Sequence, residues 1–236
     1  MFKLDYTRLA SNFTRMLFGL MQFSLTLHAE LTFTHQTDPY HTHQPVLYEI
    51  ASRTTGPILE FGCGFGSTDM LHEMCKGTQR LLISMDDNLD WLRIFSEKYS
   101  SDSDWHKFIF VPGKSITDLD SPQHWIEFLN ASEFLKTPID LCFIDQSPWL
   151  GRLETIKFMK NKARFIILHD CDYFPVNGFF GKTIRPSAIN HPGEFDFSDI
   201  FRYFKVYFPL SPWPGPPTLL GSDVEPDFPD IDFNSY

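Results

Sequence analysis

Residues 57–68 read PILEFGCGFGST, from Pro57 to Thr68. The first five have the length and the near-continuous apolar character of a strand buried on both faces. Glycines at 62, 64 and 66 then turn the chain, and Ser67 or Thr68 is available to cap a helix. Open α/β sheets bind their ligands at the carboxyl ends of the strands, so this turn is the expected binding place. The dinucleotide fingerprint GxGxxG would need glycine at 67, where Ser67 stands. The spacing is GxGxG, with Glu60 two positions before the first glycine.

Outward from this turn, strand-length apolar runs alternate with helix-period segments, the pattern of parallel strands joined by helices. RLLISMD (80–86), KFIFV (107–111), IDLCFID (139–145) and RFIILHD (164–170) repeat the signal of PILEF (57–61). Helices are predicted over 67–76, 89–99, 122–136 and 150–161. The aromatic segment 195–208 is expected to hold the last helix and strand, with FKVYF as the strand. Seven prolines between 209 and 229 exclude regular helix or central strand there. That stretch reads as a solvated acidic tail, or as a lid carrying Trp213. The expected organisation is an N-terminal helical or cap segment (1–43), one doubly wound, mostly parallel α/β domain (44–208), and a Pro-rich acidic tail or lid (209–236).

The chain has 236 residues, 42% of them hydrophobic and 16% aromatic, which suits one sizeable core and excludes wholesale disorder. Its formal charge is −10, and five acids (Asp223, Glu225, Asp227, Asp230, Asp232) fall in the last fourteen residues. No basic footprint for duplex nucleic acid is visible. Cys63, Cys75, Cys142 and Cys171 form no CxxC pair, so they read as reduced thiols, with Cys142 a small core residue. His35, His41 and His43 cluster upstream of the domain, where HxH with a third histidine is one way to ligate a transition metal, but loop histidines in such a segment are expected to be solvated. The apolar stretch 16–29 follows Lys3, Arg8 and Arg15 but lacks a small-x-small cleavage pattern, and it is shorter than the about 20 residues of a membrane span. It reads as a helix packed on the domain or a partner, with a targeting or anchor segment as the alternative. The expected location is the cytoplasm.

A carboxylate aimed at the glycine turn would oppose a pyrophosphate and suit a ligand with a cationic amino group, which favours S-adenosylmethionine over NAD. At this point the chain resembles the class I methyltransferases, whose first motif is a strand ending acid-x-GxGxG, matched by Glu60, Gly62, Gly64 and Gly66, with Cys63 inside the loop. In that family the second strand ends in an acid that binds both ribose hydroxyls. Asp86 matches it, with Asp87 an adjacent competitor. Where the family often has Gly-Asp-Ala after strand three, this chain has Gly113-Lys114-Ser115, which leaves Ser115 as the adenine contact. The resemblance covers residues 57–170 and implies a Rossmann-like fold.

Asp145 and Asp170 close the fourth and fifth strands and converge on one sheet edge. This looks like the metal-assisted O-methyltransferases acting on small molecules and sugars, and the resemblance implies Mg2+ held by Asp145 and Asp170. Cys171 is a poor magnesium ligand, and Asp172 is the substitute. Without metal, His169 is the candidate general base, or else a hydrogen-bonded residue beneath the cofactor. Asp145 alternatively contacts only the methionine amino group. An N-methyltransferase reading rests on Asp145-Gln-Ser147-Pro148-Trp149, which is similar to the Asp/Asn-Pro-Pro-aromatic motif. His43-Gln-Pro45-Val46-Leu47-Tyr-Glu49 is similar to the opening of the ribosomal RNA cytosine N4-methyltransferases. The expected activity is S-adenosylmethionine-dependent methylation of a small-molecule or sugar hydroxyl. The alternative from another class is a methyltransferase-like module that binds the cofactor without turnover. Acceptor identity and oligomeric state carry no readable signal.

Overall fold

The computed structural model describes residues 31–113, 120–171, 197–209 and 215–236. Two units separate, Met1–Thr32 and Phe33–Tyr236, and the architecture below is that of the second. The apolar stretch 16–29, Ser115, Asp172 and Trp213 all lie outside the described residues.

Seven strands form one sheet: β1 (Ile58–Phe61), β2 (Leu82–Asp86), β3 (His106–Phe110), β4 (Ile139–Ile144), β5 (Ala163–Leu168), β6 (Tyr203–Tyr207) and β7 (Thr218–Ser222). Their order is β3-β2-β1-β4-β5-β7-β6. The first five are parallel, and β7 runs antiparallel to both β5 and β6. Ile58 of β1 is in register with Leu82 of β2 on one side and Leu141 of β4 on the other. The strand order therefore reverses at β1, and the crevice at the carboxyl ends of β1 and β4 is the topological switch point. All four residues of β1 and all five of β2 are buried, as expected of strands covered on both faces.

The helices are α1 (Gln44–Arg53), α2 (Thr68–Lys76), α3 (Leu89–Lys98), α4 (Gln123–Ala131) and α5 (Trp149–Met159). The core packs Trp125 and Leu129 of α4 and Ile156 and Met159 of α5 against Phe61, Met85, Ile144 and Leu168 of the sheet. The helix expected over 122–136 is broken. Ser132 adopts an extended backbone and its hydroxyl donates to the Phe128 carbonyl at 2.7 Å, closing α4 before a separate 3-10 turn at Glu133–Lys136. The four cysteines are free and buried, in agreement with the reduced-thiol reading.

Two expectations are corrected. Residues 215–236 are not an appended tail. The proline-free run Thr218–Ser222 forms β7 inside the sheet, between β5 and β6. Pro216, Pro217 and Pro226 flank this run without entering it, so no ladder hydrogen bond is lost to them. Beyond β7 the acidic end is tied down: Tyr207 Oη donates to the Pro229 carbonyl at 2.7 Å, Lys205 pairs with Asp230, and Phe233 is buried. The upstream histidines are also not all solvated. His35 and His43 are each only 2% exposed, His35 because its Nε2 lies 2.9 Å from the Phe233 carbonyl and its N–H donates to Gln44 Oε1.

Candidate active site

The glycine loop is pressed onto the end of β4. Gly62 has φ +91°, and a Cβ there would lie 2.6 Å from the backbone carbon of Asp145, so only glycine fits. Its N–H donates to the Met85 carbonyl at 2.8 Å, tying the loop to β2 as well. The loop's third glycine is covered from the other side: a Cβ at Gly66 would meet the His41 ring at 2.4 Å, and the Gly66 carbonyl accepts from Gln44 Nε2 at 3.0 Å. At Gly64 the surroundings are open, with Ser67 Oγ at 3.7 Å the nearest atom a Cβ would meet. A ligand can approach the backbone there.

Glu60 does not face a ligand, which corrects its reading as the carboxylate aimed at the loop. It is fully buried, accepting hydrogen bonds from Ser67 Oγ (2.6 Å), Thr68 Oγ1 (2.9 Å) and Ser84 Oγ (2.5 Å). The Ser67 and Thr68 hydroxyls are committed to this carboxyl, so neither caps α2 with its side chain. Glu60 thus pins the start of α2 to β1 and β2 from below. Burial raises its pKa to about 7, against the pull of the three hydroxyl donors.

Asp86 ends β2 beside this loop. Its Oδ2 accepts the Cys63 N–H at 2.9 Å and its Oδ1 accepts the Asn88 N–H at 2.8 Å. Burial raises its pKa to about 6, the two backbone donors opposing. The competitor Asp87 is engaged elsewhere, its Oδ2 lying 2.9 Å from His124 Nε2 on α4. Asn88 caps α3 by accepting the Trp91 N–H at 3.2 Å, and the Trp91 indole donates to the Cys63 carbonyl at 2.6 Å. Both backbone groups of Cys63 are therefore hydrogen-bonded, its N–H to Asp86 and its carbonyl to Trp91.

The ends of β4 and β5 bring together Asp145, His169 and Asp170, as the sequence predicts, around a residue it did not flag. Arg152 of α5 is 5% exposed and reaches Asp145 Oδ1 at 3.0 Å and Asp170 Oδ2 at 3.1 Å. It also donates to the Gln146 carbonyl at 2.8 Å, the His169 carbonyl at 3.0 Å and the Asp145 carbonyl at 3.2 Å. Asp170 adopts φ +52°, a left-handed conformation that Asp tolerates better than most residues. His169 is 1% exposed, with Nδ1 at 3.3 Å from Asp145 Oδ1 and 3.6 Å from Asp170 Oδ1, and Nε2 at 3.3 Å from Thr42 Oγ1. Burial lowers its pKa, but Asp170 and Asp145 outweigh burial and the net shift is upward. For Asp170 the desolvation penalty is likewise overcome, by His169 and Arg152, and its pKa is lowered.

This arrangement does not suit Mg2+ between Asp145 and Asp170. A buried guanidinium already joins the two carboxylates, and a hard cation asks for several oxygen donors in open octahedral geometry. Asp170 is taken up by Arg152 and His169. Asp145 keeps open surface, its side chain 26% exposed against 2% for His169.

Arg152 and Thr42 escaped the sequence reading, and His43 was read there as a solvated loop residue. Arg152 sits among Gly151, Leu153 and Ile156 on the buried stretch of α5, and a charged residue inside an apolar helix must find buried anions. Asp145 and Asp170 are those anions, so the signal was present. His43 and Thr42 belong to the segment 34–43, whose approach to β5 depends on the fold and has no local sequence code.

No family profile and no curated protein matches the chain. Solved structures do. An inferred O-methyltransferase of Klebsiella pneumoniae aligns with TM-score 0.51 at 12% identity, over 83% of this chain and 82% of that one. The N-terminal domain of human METTL16, solved with S-adenosylhomocysteine, aligns with TM-score 0.48 at 10% identity over 80% and 72%. An rRNA methylase of Streptococcus thermophilus gives 0.42 at 16% over 81% and 96%. Likeness at such low identity establishes architecture alone, and the chain has the Rossmann-like fold found in class I methyltransferases.

Proposed function

We propose that the protein binds S-adenosylmethionine at the glycine loop and Asp86 and methylates a hydroxyl group of a small molecule or sugar. The observation that carries the reading is the junction of Gly62 and Asp145: the open glycine loop abuts the end of β4 that bears the solvent-accessible carboxylate. The residues fit the cofactor. Gly64 leaves room for close backbone approach, and each Asp86 oxygen keeps a lone pair beyond its backbone donor for a ribose hydroxyl. The bound cofactor supplies an electrophilic methyl group on a sulfonium.

Asp145 is the group that meets the acceptor, accepting a hydrogen bond from its hydroxyl and so raising the oxygen's nucleophilicity. Arg152 and His169 are positioning residues that fix the carboxylate. An oxygen acceptor is favoured over an amine. An Asp-Pro-Pro-aromatic type of site receives an amine on backbone carbonyls, whereas here the Gln146 carbonyl is bonded to Arg152 and the Ser147 carbonyl to the Trp125 indole at 2.7 Å. The formal charge of −10 disfavours an RNA acceptor.

Calorimetric titration with S-adenosylmethionine and S-adenosylhomocysteine tests the cofactor, with Asp86→Ala as control. Product formation over a panel of hydroxylated small molecules and sugars tests the reaction. Absence of binding would reject the reading, and binding without product from any acceptor would leave the module without turnover in its place.

A further inference from the structure

His43 is the N-cap residue of α1, wholly enclosed, with the Gly66 carbonyl the one backbone acceptor beside its ring and neither ring nitrogen in a well-formed hydrogen bond. Sealing an imidazole whose Gly66 contact can serve one nitrogen at most is costly unless something absent from the protein chain satisfies the other. Its ring stands edge-on to His169, centroids 4.5 Å apart at 71°.

The proton inventory of His169 points the same way. Thr42 Oγ1 donates its one proton to the Pro216 carbonyl at 2.7 Å, so toward His169 Nε2 it can only accept. Nε2 therefore carries a hydrogen in the neutral ring, and Nδ1 presents a lone pair to Asp145. Two electron-rich atoms 3.3 Å apart require a cation between them, a proton or a metal ion. A proton on His169 satisfies that contact and leaves one nitrogen of His43 unexplained. A metal ion would take one lone pair from each ring, the second nitrogen of His43 keeping its hydrogen toward the Gly66 carbonyl.

We propose that His43, Asp145 and His169 form a three-ligand site for a divalent first-row transition ion of the zinc class. One donor atom from each lies within 4.8 Å of the other two, a spread that must tighten by side-chain adjustment to reach the bond lengths of about 2.0–2.2 Å that zinc requires. Two imidazole nitrogens with one carboxylate favour zinc, iron or manganese over magnesium. The ligands come from the start of α1 and the ends of β4 and β5. The Thr42 contact on His169 Nε2 supplies the outer hydrogen bond that metal-binding histidines normally make. Asp145 faces solvent, so the site has an open side, as catalytic rather than structural zinc sites do. The charges allow it. Asp145, Asp170 and Arg152 sum to −1 with His169 neutral, and a dication makes +1, which an anionic ligand on the open side would neutralise.

The inference goes beyond the methyl-transfer reading, and its readout is metal binding. The full chain is stripped with a chelator and titrated with Co2+, followed by its visible d–d absorption, then with Zn2+ in competition and with Mg2+ as a separate arm. The expected result is one equivalent of Co2+, displaced by Zn2+ and not by Mg2+. His43→Ala and Asp145→Asn should each weaken binding by about tenfold or more, since losing even an outer partner costs about 10–100-fold. Circular dichroism reports whether each variant folds, and the isosteric Asp145→Asn decides the matter if His43→Ala does not. Failure of the wild-type protein to bind Co2+ or Zn2+, or undiminished binding by a folded variant, overturns the site. Metal binding without S-adenosylmethionine binding would leave the site standing and remove only the methyl-transfer reading.

Discussion

Asp86 accepts the backbone N–H of Cys63 at 2.9 Å, so the acid that closes β2 also fixes the loop that follows β1. Asp86→Ala should therefore lower S-adenosylmethionine affinity by about 100-fold, two charge-assisted hydrogen bonds at roughly 1.5 kcal/mol each. The free carboxyl has a pKa of about 6. Below that pH it must lose a proton to accept two hydroxyls, so affinity should be flat above pH 7 and fall as pH drops through 6, by about tenfold per unit. Calorimetry between pH 5 and pH 8 measures this, and a flat profile would remove Asp86 from the binding site.

Glu60 gives a stability signature of definite sign. Its folded pKa of about 7 lies above the ordinary 4.5, so the folded state holds the proton more tightly. The associated stability is fully present below pH 4.5 and is lost as pH rises through about 7, about 3 kcal/mol in all. Glu60→Gln should abolish that slope. Urea unfolding at several pH values compares the two, and parallel curves would mean that Glu60 is ionised throughout.

Arg152→Met leaves Asp145 and Asp170 close together without their shared cation. Breaking a buried pair on one side costs about 3–5 kcal/mol, and the variant should lose stability by that amount at pH 7. Acidification should narrow the gap to wild type, because protonated carboxyls no longer need the guanidinium. A loss under about 1 kcal/mol would show the arginine to be peripheral.

A chain ending at Phe208 should fail to fold cooperatively. It lacks β7, which pairs with β5 through Ile166, Ile167 and Leu168 and carries the whole of β6. Near-ultraviolet circular dichroism and thermal unfolding would reveal it, and a native-like transition would refute the structural role given to residues 218–222.

The inner parallel strands were legible because burial on two faces writes a near-continuous apolar run, as in Leu82–Asp86 and Ile139–Ile144, and the half-buried edge strand β3 through the apolar residues of KFIFV. β7 was hidden by its neighbours. Prolines at 216, 217 and 226 dominate the composition around it, and Gly221 weakens its strand character. In the fold that glycine is required, since a Cβ there would lie 2.6 Å from the Phe201 ring. Asp145, His169 and Asp170 were legible because strand ends gather chemistry in this fold class. Glu60 was placed correctly on β1 but given the wrong partner, because sequence does not reveal that the hydroxyls of Ser67, Thr68 and Ser84 converge on it. Arg152 and His43 reach the centre across separations that only the folded sheet closes.

The position of β7 also constrains how the chain can assemble. β6 is synthesised first, and among the described residues its only sheet partner is β7. Until residue 222 has left the ribosome, the aromatic strand Tyr203–Tyr207 has no partner, and the exposed edge of β5 beside it is equally free. Two unpaired strands that must wait for a third are where intermolecular pairing begins. Chaperone dependence and aggregation during expression should therefore concentrate in this half of the sheet, while the β3-β2-β1-β4 half can already be formed.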